Sequence, residues 1–361
     1  MLRPLKLAAL HALGTLGIFD RAVNSRWRRE RLLILCYHGV SLEDEHAWDP
    51  ELYLSPQQFA LRMQFLEKAN CHVLPLAEAV DRLYAHDLPP RSVAITFDDG
   101  FYDFYAQALP VLQQHGFPAT VYLTTYYCDH AQPVFNVACR YILWKQRGRL
   151  VPRDSGFECD LDVRDTFSRM QTFRRLLDLC EERSLSGQEK HQLLEMVAHR
   201  LEFDFTRFLS RRMLQLLTPT ETARLAGQGV DFQLHTHRHR TPEDPACFRA
   251  EIEDNRSRLH AMTGATARHF CYPSGVVQPS FLPWLRDLGV LSATTCEHGL
   301  ADASTMPLLL PRRVDTSGAS QIEFESWVCG VGALVSRKTL GCWLARRQPY
   351  PIAIKDIEAV S

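Results

Sequence analysis

Short apolar runs alternate with amphipathic stretches along most of this chain. The runs are rich in β-branched and aromatic residues, which predicts strands at 32–40, 73–76, 93–100, 119–124, 232–239, 268–275, 290–295 and 308–314. Between them, apolar residues recur at helical spacing, as at Phe59, Met63 and Leu66 behind the helix-capping pair Ser55 and Gln58. One apolar run per strand–helix unit is typical of a parallel α/β sheet, either open or closed into a barrel.

The pattern changes between about residues 129 and 217, where the sequence is polar and rich in predicted helix. Apolar stripes at helical spacing are formed by Phe167, Met170, Phe173 and Leu177, and by Leu193, Val197 and Leu201. This stretch contains no motif of catalytic or metal-binding chemistry. We therefore predict a helical insertion within the α/β domain, and we favour a role in packing and solubility over a role as a substrate lid.

The two ends of the chain differ from its centre. In residues 1–31, apolar positions at helical spacing are followed by a basic connector at 26–31. Such an amphipathic helix can lie on an anionic membrane surface, but we favour a helix packed on the domain with the connector in solvent. This segment lacks a small-residue cleavage site, so we expect no secretory signal. In the C-terminal tail, residues 331–361, we predict a helix from about 333 to 344.

The composition is that of a globular protein, with 361 residues, 46% hydrophobic and 23% charged. Nucleic-acid binding rests on a basic surface, so the net charge of -1 predicts no nucleic-acid partner. No apolar run reaches the ~18 residues of a membrane span. The 11 cysteines are scattered without a Cys-x-x-Cys pair, which favours a reducing compartment. We expect a cytoplasmic protein, with the inner membrane surface as the alternative location.

Two predicted strands end in groups that suit metal chemistry. The run 93–97 ends in Asp98, Asp99 and Gly100. Adjacent carboxylates repel one another unless a cation lies beside them, although an acidic turn is the alternative interpretation. The run that starts at Phe232 ends in three histidines within the five residues 235–239. Imidazole is the commonest side-chain metal ligand near neutral pH, so this second strand end predicts a metal site.

The two motifs, T-F-D-D-G at 96–100 and H-T-H-R-H at 235–239, together resemble the first two motifs of the polysaccharide deacetylases, carbohydrate esterase family 4. The resemblance covers about residues 32–330 and leaves out both ends of the chain. It implies a distorted (β/α)7 barrel, here interrupted by the helical insertion. It also implies a hydrolase that uses a divalent metal ion.

In this family the first Asp of the first motif is the catalytic base, and the second Asp binds the metal with two histidines of the second motif. The resemblance therefore implies Asp98 as the base and Asp99, His235 and His239 as ligands. Three protein ligands leave an open position, which is the pattern of a catalytic site. Zinc suits this mixed set best, with cobalt, nickel and iron as alternatives. We expect His237 to lie behind the ligands or on the surface.

The stretch 268–275 resembles the third motif of the family, in which the backbone N–H of a Tyr completes the oxyanion hole. The resemblance therefore assigns this role to Tyr272. The alternative is that Tyr272 only ends the strand and packs in the core. The family carries an Arg two residues before the proline of this motif, but Cys271 stands there in this chain. We expect Arg312 to replace it, since a guanidinium can orient Asp98 through two contacts. Arg268, and a purely structural Arg312, remain alternatives.

The family's late Leu-x-His motif, which supplies the general acid, is absent from the C-terminal third. A subgroup of exopolysaccharide deacetylases instead begins with a Tyr-His strand whose His is the acid, and Tyr37-His38 resembles it. We therefore assign the acid to His38, with His298 as a competing candidate. The alternative is that His38 has no catalytic role and only forms hydrogen bonds with backbone groups at the end of the strand.

The function expected from these residues is a metal-dependent hydrolase that removes N-acetyl groups from N-acetylhexosamine units. Its partner would be an acetylated glycan, either a polysaccharide or a lipid-linked saccharide, with peripheral membrane contact as an open question. Two other functions stay under consideration. One is an O-acetyl esterase on a polysaccharide, and the other is a catalytically inactive carbohydrate-binding barrel.

Overall fold

A computed structural model describes residues 3–130, 132–154, 157 and 159–335. The strands of these residues fall where apolar runs were predicted, with three short strands added at 53–54, 150–151 and 161–162. They are β1 (Leu33–Tyr37), β2 (Gly39–Val40), β3 (Tyr53–Leu54), β4 (His72–Val73), β5 (Ser92–Asp99), β6 (Thr120–Leu123), β7 (Leu150–Val151), β8 (Leu161–Asp162), β9 (Asp231–Leu234), β10 (His269–Cys271), β11 (Ser292–Thr294) and β12 (Arg313–Val314).

The helices of the described residues connect these strands or extend the domain. They are α1 (Arg3–Thr15), α2 (Ile18–Val23), α3 (Arg26–Arg29), α4 (Glu45–Trp48), α5 (Pro56–Lys68), α6 (Leu76–Tyr84), α7 (Leu109–His115), α8 (Phe135–Lys145), α9 (Thr166–Glu182), α10 (Gly187–Arg200), α11 (Phe205–Ser210), α12 (Pro219–Ala226), α13 (Pro245–Thr263), α14 (Phe281–Asp287), α15 (Gln321–Val328) and α16 (Val331–Val335). The predicted capping box of Ser55 and Gln58 is formed at the start of α5.

Seven strands form a parallel sheet in the order β11-β10-β9-β6-β5-β1-β12, and β4 pairs with β5 outside this path. The segment that leads into β12 joins the two edges of the sheet. Leu310 donates its N–H to the Ala293 carbonyl of β11, whereas Arg313 pairs with Leu35 of β1. The sheet therefore curls into the distorted (β/α)7 barrel that the resemblance implied.

Alternate strand positions fill the barrel interior. One buried cluster combines Ile34, Ala94, Tyr122, Cys271 and Leu310, each from a different strand or strand-like segment. All eight residues of β5 are buried, as is typical of a strand in a parallel sheet covered on both faces. The chemistry that follows lies at the carboxyl ends of these strands, where barrels of this kind place their sites.

The insertion lies between β6 and β9, which pair with each other in the sheet. It contains α8 to α11 and the β7–β8 hairpin, and its buried residues belong to the same hydrophobic cluster as the barrel. The stripe predicted for α9 is wrong in part. Phe167 and Met170 are exposed, whereas Leu176 and Cys180 are buried, because the face that meets α8 is rotated from the one inferred from spacing.

The N-terminal helix packs on the barrel domain. Leu10 of α1 is buried against Cys329 and Val331, and Lys6 Nζ lies 2.9 Å from Glu323 Oε1 of α15. The prediction of a connector in solvent is wrong for Arg28. Its side chain is fully buried and donates to the carbonyls of Val328, Arg31 and Ser92, which ties the connector to the barrel.

None of the described helices is both long and apolar enough to cross a membrane. At the other end of the chain, α16 ends at Val335. The rest of the tail helix predicted from about 333 to 344, and the tail residues that follow it, lie outside the described residues.

Candidate active site

Strand β5 delivers both acidic residues of the first motif to the carboxyl edge of the barrel. Asp98 and Asp99 are its last two residues, and both are buried. The chain turns sharply here, with φ of 69° at Asp99 and 84° at Gly100. A Cβ at Gly100 would lie 2.1 Å from Leu123 Cδ1, so only glycine fits this turn. Successive strand residues point to opposite sides, which separates the environments of the two carboxylates.

Asp98 is held by Arg312. The two guanidinium nitrogens Nη1 and Nη2 donate to Oδ1 and Oδ2 of Asp98, each at 2.7 Å. Arg312 is fully buried and also donates to the Thr295 carbonyl at 3.0 Å, which fixes the guanidinium. Burial alone would raise the pKa of Asp98, but the charge and hydrogen bonds of Arg312 outweigh it and hold the pKa well below its ordinary value. Asp98 is therefore an ionised, oriented carboxylate.

Cys271 occupies the sequence position of the family arginine. Its thiol lies 3.4 Å from Asp98 Oδ2, and Arg312 Nη2 donates to its sulfur at 3.1 Å. The arginine that binds Asp98 thus comes from the segment just before β12, the last strand of the barrel. The third motif can therefore carry a cysteine, Cys271, where the family has its arginine. Arg268, the alternative, precedes β10 and lies at the opposite, amino-terminal edge of the sheet.

Asp99 meets two histidines of the second motif. Its Oδ1 lies 3.2 Å from His235 Nε2 and 3.1 Å from His239 Nε2, and the ligand atoms of all three residues lie within 4.8 Å of one another. Burial would raise the pKa of Asp99, but the two imidazoles outweigh it and lower the pKa well below its ordinary value. His235 Nδ1 bonds to the Cys271 carbonyl at 2.9 Å, which leaves Nε2 free to act as a ligand.

The three residues fit a divalent cation. Asp99 Oδ1 is buried, and the two imidazole nitrogens at 3.1 and 3.2 Å do not meet it in hydrogen-bonding geometry, so protein groups leave this carboxylate oxygen unsatisfied. A second group, Asp98 with His235 and Cys271, also brings ligand atoms within 4.8 Å. Both oxygens of Asp98 are already bonded to Arg312, however, so the group around Asp99 is the better cation site.

Helix α13 supports the second motif through a residue that sequence analysis missed. Asn255 is fully buried, and its Oδ1 accepts the His235 N–H at 3.0 Å. Its Nδ2 donates to the Leu123 carbonyl and to Thr125 Oγ1, at 3.0 and 2.9 Å. Asn255 therefore connects the ends of β6 and β9. The signal available in the sequence was a polar residue on the inward face of an amphipathic helix.

A second buried residue of α13, Glu251, holds the turn between the two histidine ligands. Its carboxylate accepts the Arg238 N–H and Arg240 Nε, each at 2.8 Å, and its carbonyl accepts the His237 N–H at 3.0 Å. The His237 ring is half-buried, and its Nδ1 lies 2.9 Å from Thr125 Oγ1. His237 therefore lies beside the ligands and is bonded away from Asp99, as the sequence predicted.

The two candidates for the general acid lie in different places. His38 follows β1, and its Nε2 lies 3.8 Å from Asp98 Oδ2, with 20% of the side chain exposed. Its Nδ1 is buried without a hydrogen-bond partner. His298 is exposed and lies against Trp327, with 6.0 Å between ring centroids. The structure therefore brings His38, and not His298, to the acidic residues.

Tyr272 is buried at the end of β10, and its hydroxyl donates to the Leu308 carbonyl at 3.0 Å. Its backbone N–H donates to the Thr294 carbonyl of β11 at 3.3 Å. This sheet bond occupies the donor that the oxyanion hypothesis uses. The role of Tyr272 stays a prediction, and it requires the N–H to be shared between Thr294 and a substrate oxygen.

The family model for polysaccharide deacetylase matches residues 85–156 and 190–293, which include both motifs. The matched segments, which carry both motifs, are similar to the polysaccharide deacetylase family. A Bacillus subtilis (strain 168) protein, YxkH, is 33% identical over 94 residues, which cover 26% of this chain and 32% of that protein. The poly-β-1,6-N-acetyl-D-glucosamine N-deacetylase of Escherichia coli (strain K12) is 34% identical over 97 residues, 26% of this chain and 14% of that enzyme.

The matches with these curated relatives therefore span a third or less of their length. Among solved structures of deacetylases, the Streptococcus pyogenes deacetylase PplD in complex with acetate superposes with a TM-score of 0.54 and 19% identity. The superposition covers 80% of this chain and 94% of PplD. At this identity the likeness shows that the two proteins share the deacetylase barrel fold.

Proposed function

We propose that this chain is a polysaccharide deacetylase, a metal-dependent hydrolase that removes N-acetyl groups from N-acetylhexosamine units of a polysaccharide or lipid-linked saccharide. The observation that carries the proposal is the arrangement at the end of β5. There, Asp98 is paired with Arg312 at 2.7 Å, and Asp99 Oδ1 lies 3.2 Å from His235 Nε2 and 3.1 Å from His239 Nε2. An ionised carboxylate beside a cation site is what amide hydrolysis by water requires.

Asp99, His235 and His239 would hold a divalent cation, for which we propose zinc. When bound, such a cation supplies Lewis-acid chemistry, which polarises a carbonyl and makes water a stronger acid. The donor set of two imidazoles and one carboxylate is common at catalytic zinc sites. Asn255 and Glu251 keep the second motif in the conformation that brings both imidazoles to Asp99.

Asp98 would accept the proton of the attacking water. Arg312 binds both carboxylate oxygens, so the group cannot rotate away from the site and remains ionised over the physiological pH range. A carboxylate with a lowered pKa is a weak base, and the increased acidity of water beside a cation compensates for this weakness. Orientation of Asp98 by Arg312 is therefore part of the proposed mechanism.

His38 would protonate the amine that leaves. It is the partly exposed imidazole beside Asp98, where a leaving group from a bound glycan can reach it. The Tyr272 N–H would donate to the oxyanion. With these assignments, we propose that the chain belongs with the exopolysaccharide deacetylases that begin with a Tyr-His strand.

The relative from Escherichia coli supports an N-acetylglucosamine polymer as substrate, since that enzyme is named for its action on such a polymer. A lipid-linked saccharide is the alternative, and Leu5 and Leu16 of the N-terminal segment, both exposed, provide apolar groups for peripheral membrane contact. We propose a cytoplasmic location, with the inner membrane surface as the alternative. The ten cysteines of the described residues are free thiols, which fits a reducing compartment.

Acetate release from matched substrates tests the proposal. The panel would contain β-1,6-linked and β-1,4-linked N-acetylglucosamine oligomers and an O-acetylated polysaccharide, each with the metal-loaded protein and with a chelator. We expect release from an N-acetyl substrate that stops with chelator and returns with zinc, and that Asp98→Asn lowers by about a hundredfold or more. Release from the O-acetyl substrate alone would indicate an esterase. Binding of the oligomers without release would indicate an inactive barrel.

A further inference from the structure

A small, mainly apolar cavity of about 20 Å³ lies directly beside the cation site. Asp99 and His239 form one side of it. Its other walls are Phe101, Thr124, Tyr127, Val134 and Leu216. Any group that enters this cavity is in contact with two of the residues that would hold the cation.

Two of the walls come from the helical insertion, for which the sequence favoured a role in packing and solubility over a role as a substrate lid. Val134 lies at the start of the insertion and Leu216 at its end, and both side chains are buried. The Val134 N–H donates to the Leu214 carbonyl at 3.1 Å, which brings the two ends of the insertion together. The two ends of the insertion therefore lie next to each other, beside the cation site.

Leu216 is fixed to the residues that follow the Asp-Asp-Gly turn. It forms an antiparallel bridge with Phe101, and the neighbouring Leu217 N–H donates to the Gly100 carbonyl at 2.9 Å. The Tyr102 N–H donates to the Gln215 carbonyl at 2.8 Å. With backbone hydrogen bonds on both sides, Leu216 cannot move outward to admit a longer group without breaking this pairing.

The size and polarity of the cavity restrict what it can receive. One water molecule needs about 10–15 Å³ of such space, so the cavity accommodates about one group of that size, such as a methyl. Its walls at Phe101, Val134 and Leu216 are hydrocarbon, which disfavours a hydroxyl that would lose its hydrogen bonds to water.

We propose that the insertion is an acyl-selectivity element, in which Leu216 and Val134 form the wall that receives the methyl group of an acetyl substrate and excludes longer acyl chains. The inference rests on the proposed hydrolase function. It goes further by assigning the selectivity for the two-carbon acyl group to named residues and by giving the insertion a specific role. One additional methylene in such a pocket changes kcat/KM on the order of 10–200-fold.

The first test compares kcat/KM on N-acetyl and N-propionyl forms of one glucosamine oligomer, for the metal-loaded wild type and two variants. We expect the wild type to prefer the acetyl form by at least about tenfold. Leu216→Ala and the milder Val134→Ala should each reduce that ratio by about tenfold or more. Leu193→Ala, a buried leucine of the insertion that does not line the cavity, is the matched control and should keep the wild-type ratio.

The second test does not depend on turnover. Titration calorimetry with acetate, propionate and butyrate measures binding of the product carboxylates to the metal-loaded proteins. We expect the wild type to bind acetate most tightly, and Leu216→Ala to bind butyrate at least about tenfold more tightly than the wild type does. This result is expected even if the natural reaction is not deacetylation, so the two proposals can be separated.

An unchanged acyl ratio in folded Leu216→Ala and Val134→Ala, together with unchanged carboxylate binding, would overturn the inference. Equal wild-type kcat/KM on the acetyl and propionyl substrates would do the same. By contrast, absence of acetate release with normal carboxylate selectivity would overturn the proposed function and leave the selectivity role of the insertion in place.

Discussion

Arg312 binds both carboxylate oxygens of Asp98 at 2.7 Å, although 214 residues separate the two in the sequence. The pair lies in the barrel interior, where both side chains are buried. A guanidinium matches the geometry of a carboxylate with two parallel hydrogen bonds, which an ammonium group cannot do. The position of the proposed base therefore depends on a residue near the last strand of the barrel.

Arg312→Lys should show whether Asp98 needs to be oriented by two hydrogen bonds or needs only a positive charge beside it. Lysine keeps the positive charge but loses the second contact, so we expect kcat to fall on the order of a hundredfold. Metal content should not change, because Arg312 does not contact Asp99. Arg313→Lys is the matched control, since Arg313 lies over the Trp327 ring and not at Asp98. A normal kcat in folded Arg312→Lys would show that charge alone is sufficient.

Loss of both imidazoles should remove the metal. We expect the His235→Ala/His239→Ala double variant to bind no stoichiometric divalent cation, since Asp99 would be the only ligand left. His237→Ala is the control within the same motif, and it should keep the metal because the His237 ring is bonded to Thr125. Elemental analysis after dialysis measures both outcomes. Full occupancy in the double variant would place the metal elsewhere.

His38→Ala should affect substrates according to their leaving group. An amine must be protonated to leave, so we expect a loss of about 10²-fold to 10⁴-fold on N-acetyl substrates, with metal retained. An activated aryl acetate needs no such proton and should lose much less. His298→Ala should resemble the wild type on both. Equal losses on the two substrates in His38→Ala would remove His38 from the role of acid.

Asn255→Ala should lower both the stability of the protein and its affinity for the metal, because Asn255 holds the backbone of His235. The variant leaves the buried His235 N–H and Leu123 carbonyl without their partner, which costs about 1–3 kcal/mol of the free energy of unfolding. We also expect metal affinity to fall on the order of tenfold, because the backbone of a ligand is no longer fixed. Glu253→Ala on the exposed face of α13 is the control. Thermal unfolding and competition with a metal indicator provide the two measurements.

Glu323→Gln should reduce stability in a pH-dependent way. Burial raises the pKa of Glu323, but the bonds from Lys6 and Ser320 outweigh it and lower the pKa from 4.5 to about 2. The folded value lies below the unfolded one, so the stabilisation is complete above about pH 5 and is lost as the pH falls towards 2. We expect a loss of about 1 kcal/mol or less at pH 7, since the side chain of Lys6, the partner in this ion pair, is 41% exposed to solvent. Tm measurements should show the gap to wild type shrinking between about pH 5 and about pH 3. A constant gap would argue against the ion pair between α1 and α15.

The sequence by itself determined the features that depend on neighbouring residues. The alternation of apolar runs predicted parallel strands, and the capping pair Ser55 and Gln58 marked where α5 begins. The ligand group was also visible, because two local motifs, each at the end of a strand, carry all of its members. Parallel strands of one sheet end at the same edge, so Asp99 and His235 had to lie close together once the strands were recognised.

Only the tertiary structure decided the contacts made across the barrel. The approach of Arg312 to Asp98 depends on the segment that closes the sheet, and the role of Asn255 depends on how α13 packs behind β9. For the insertion, a role in packing and solubility was favoured over a role as a substrate lid, and the structure places its Leu216 against Phe101 beside the cation ligands. Such contacts join residues far apart in sequence, and side-chain packing of the whole domain selects them. Periodicity and local propensity report only which face of an element is buried, so they contain no information about which distant residue covers that face.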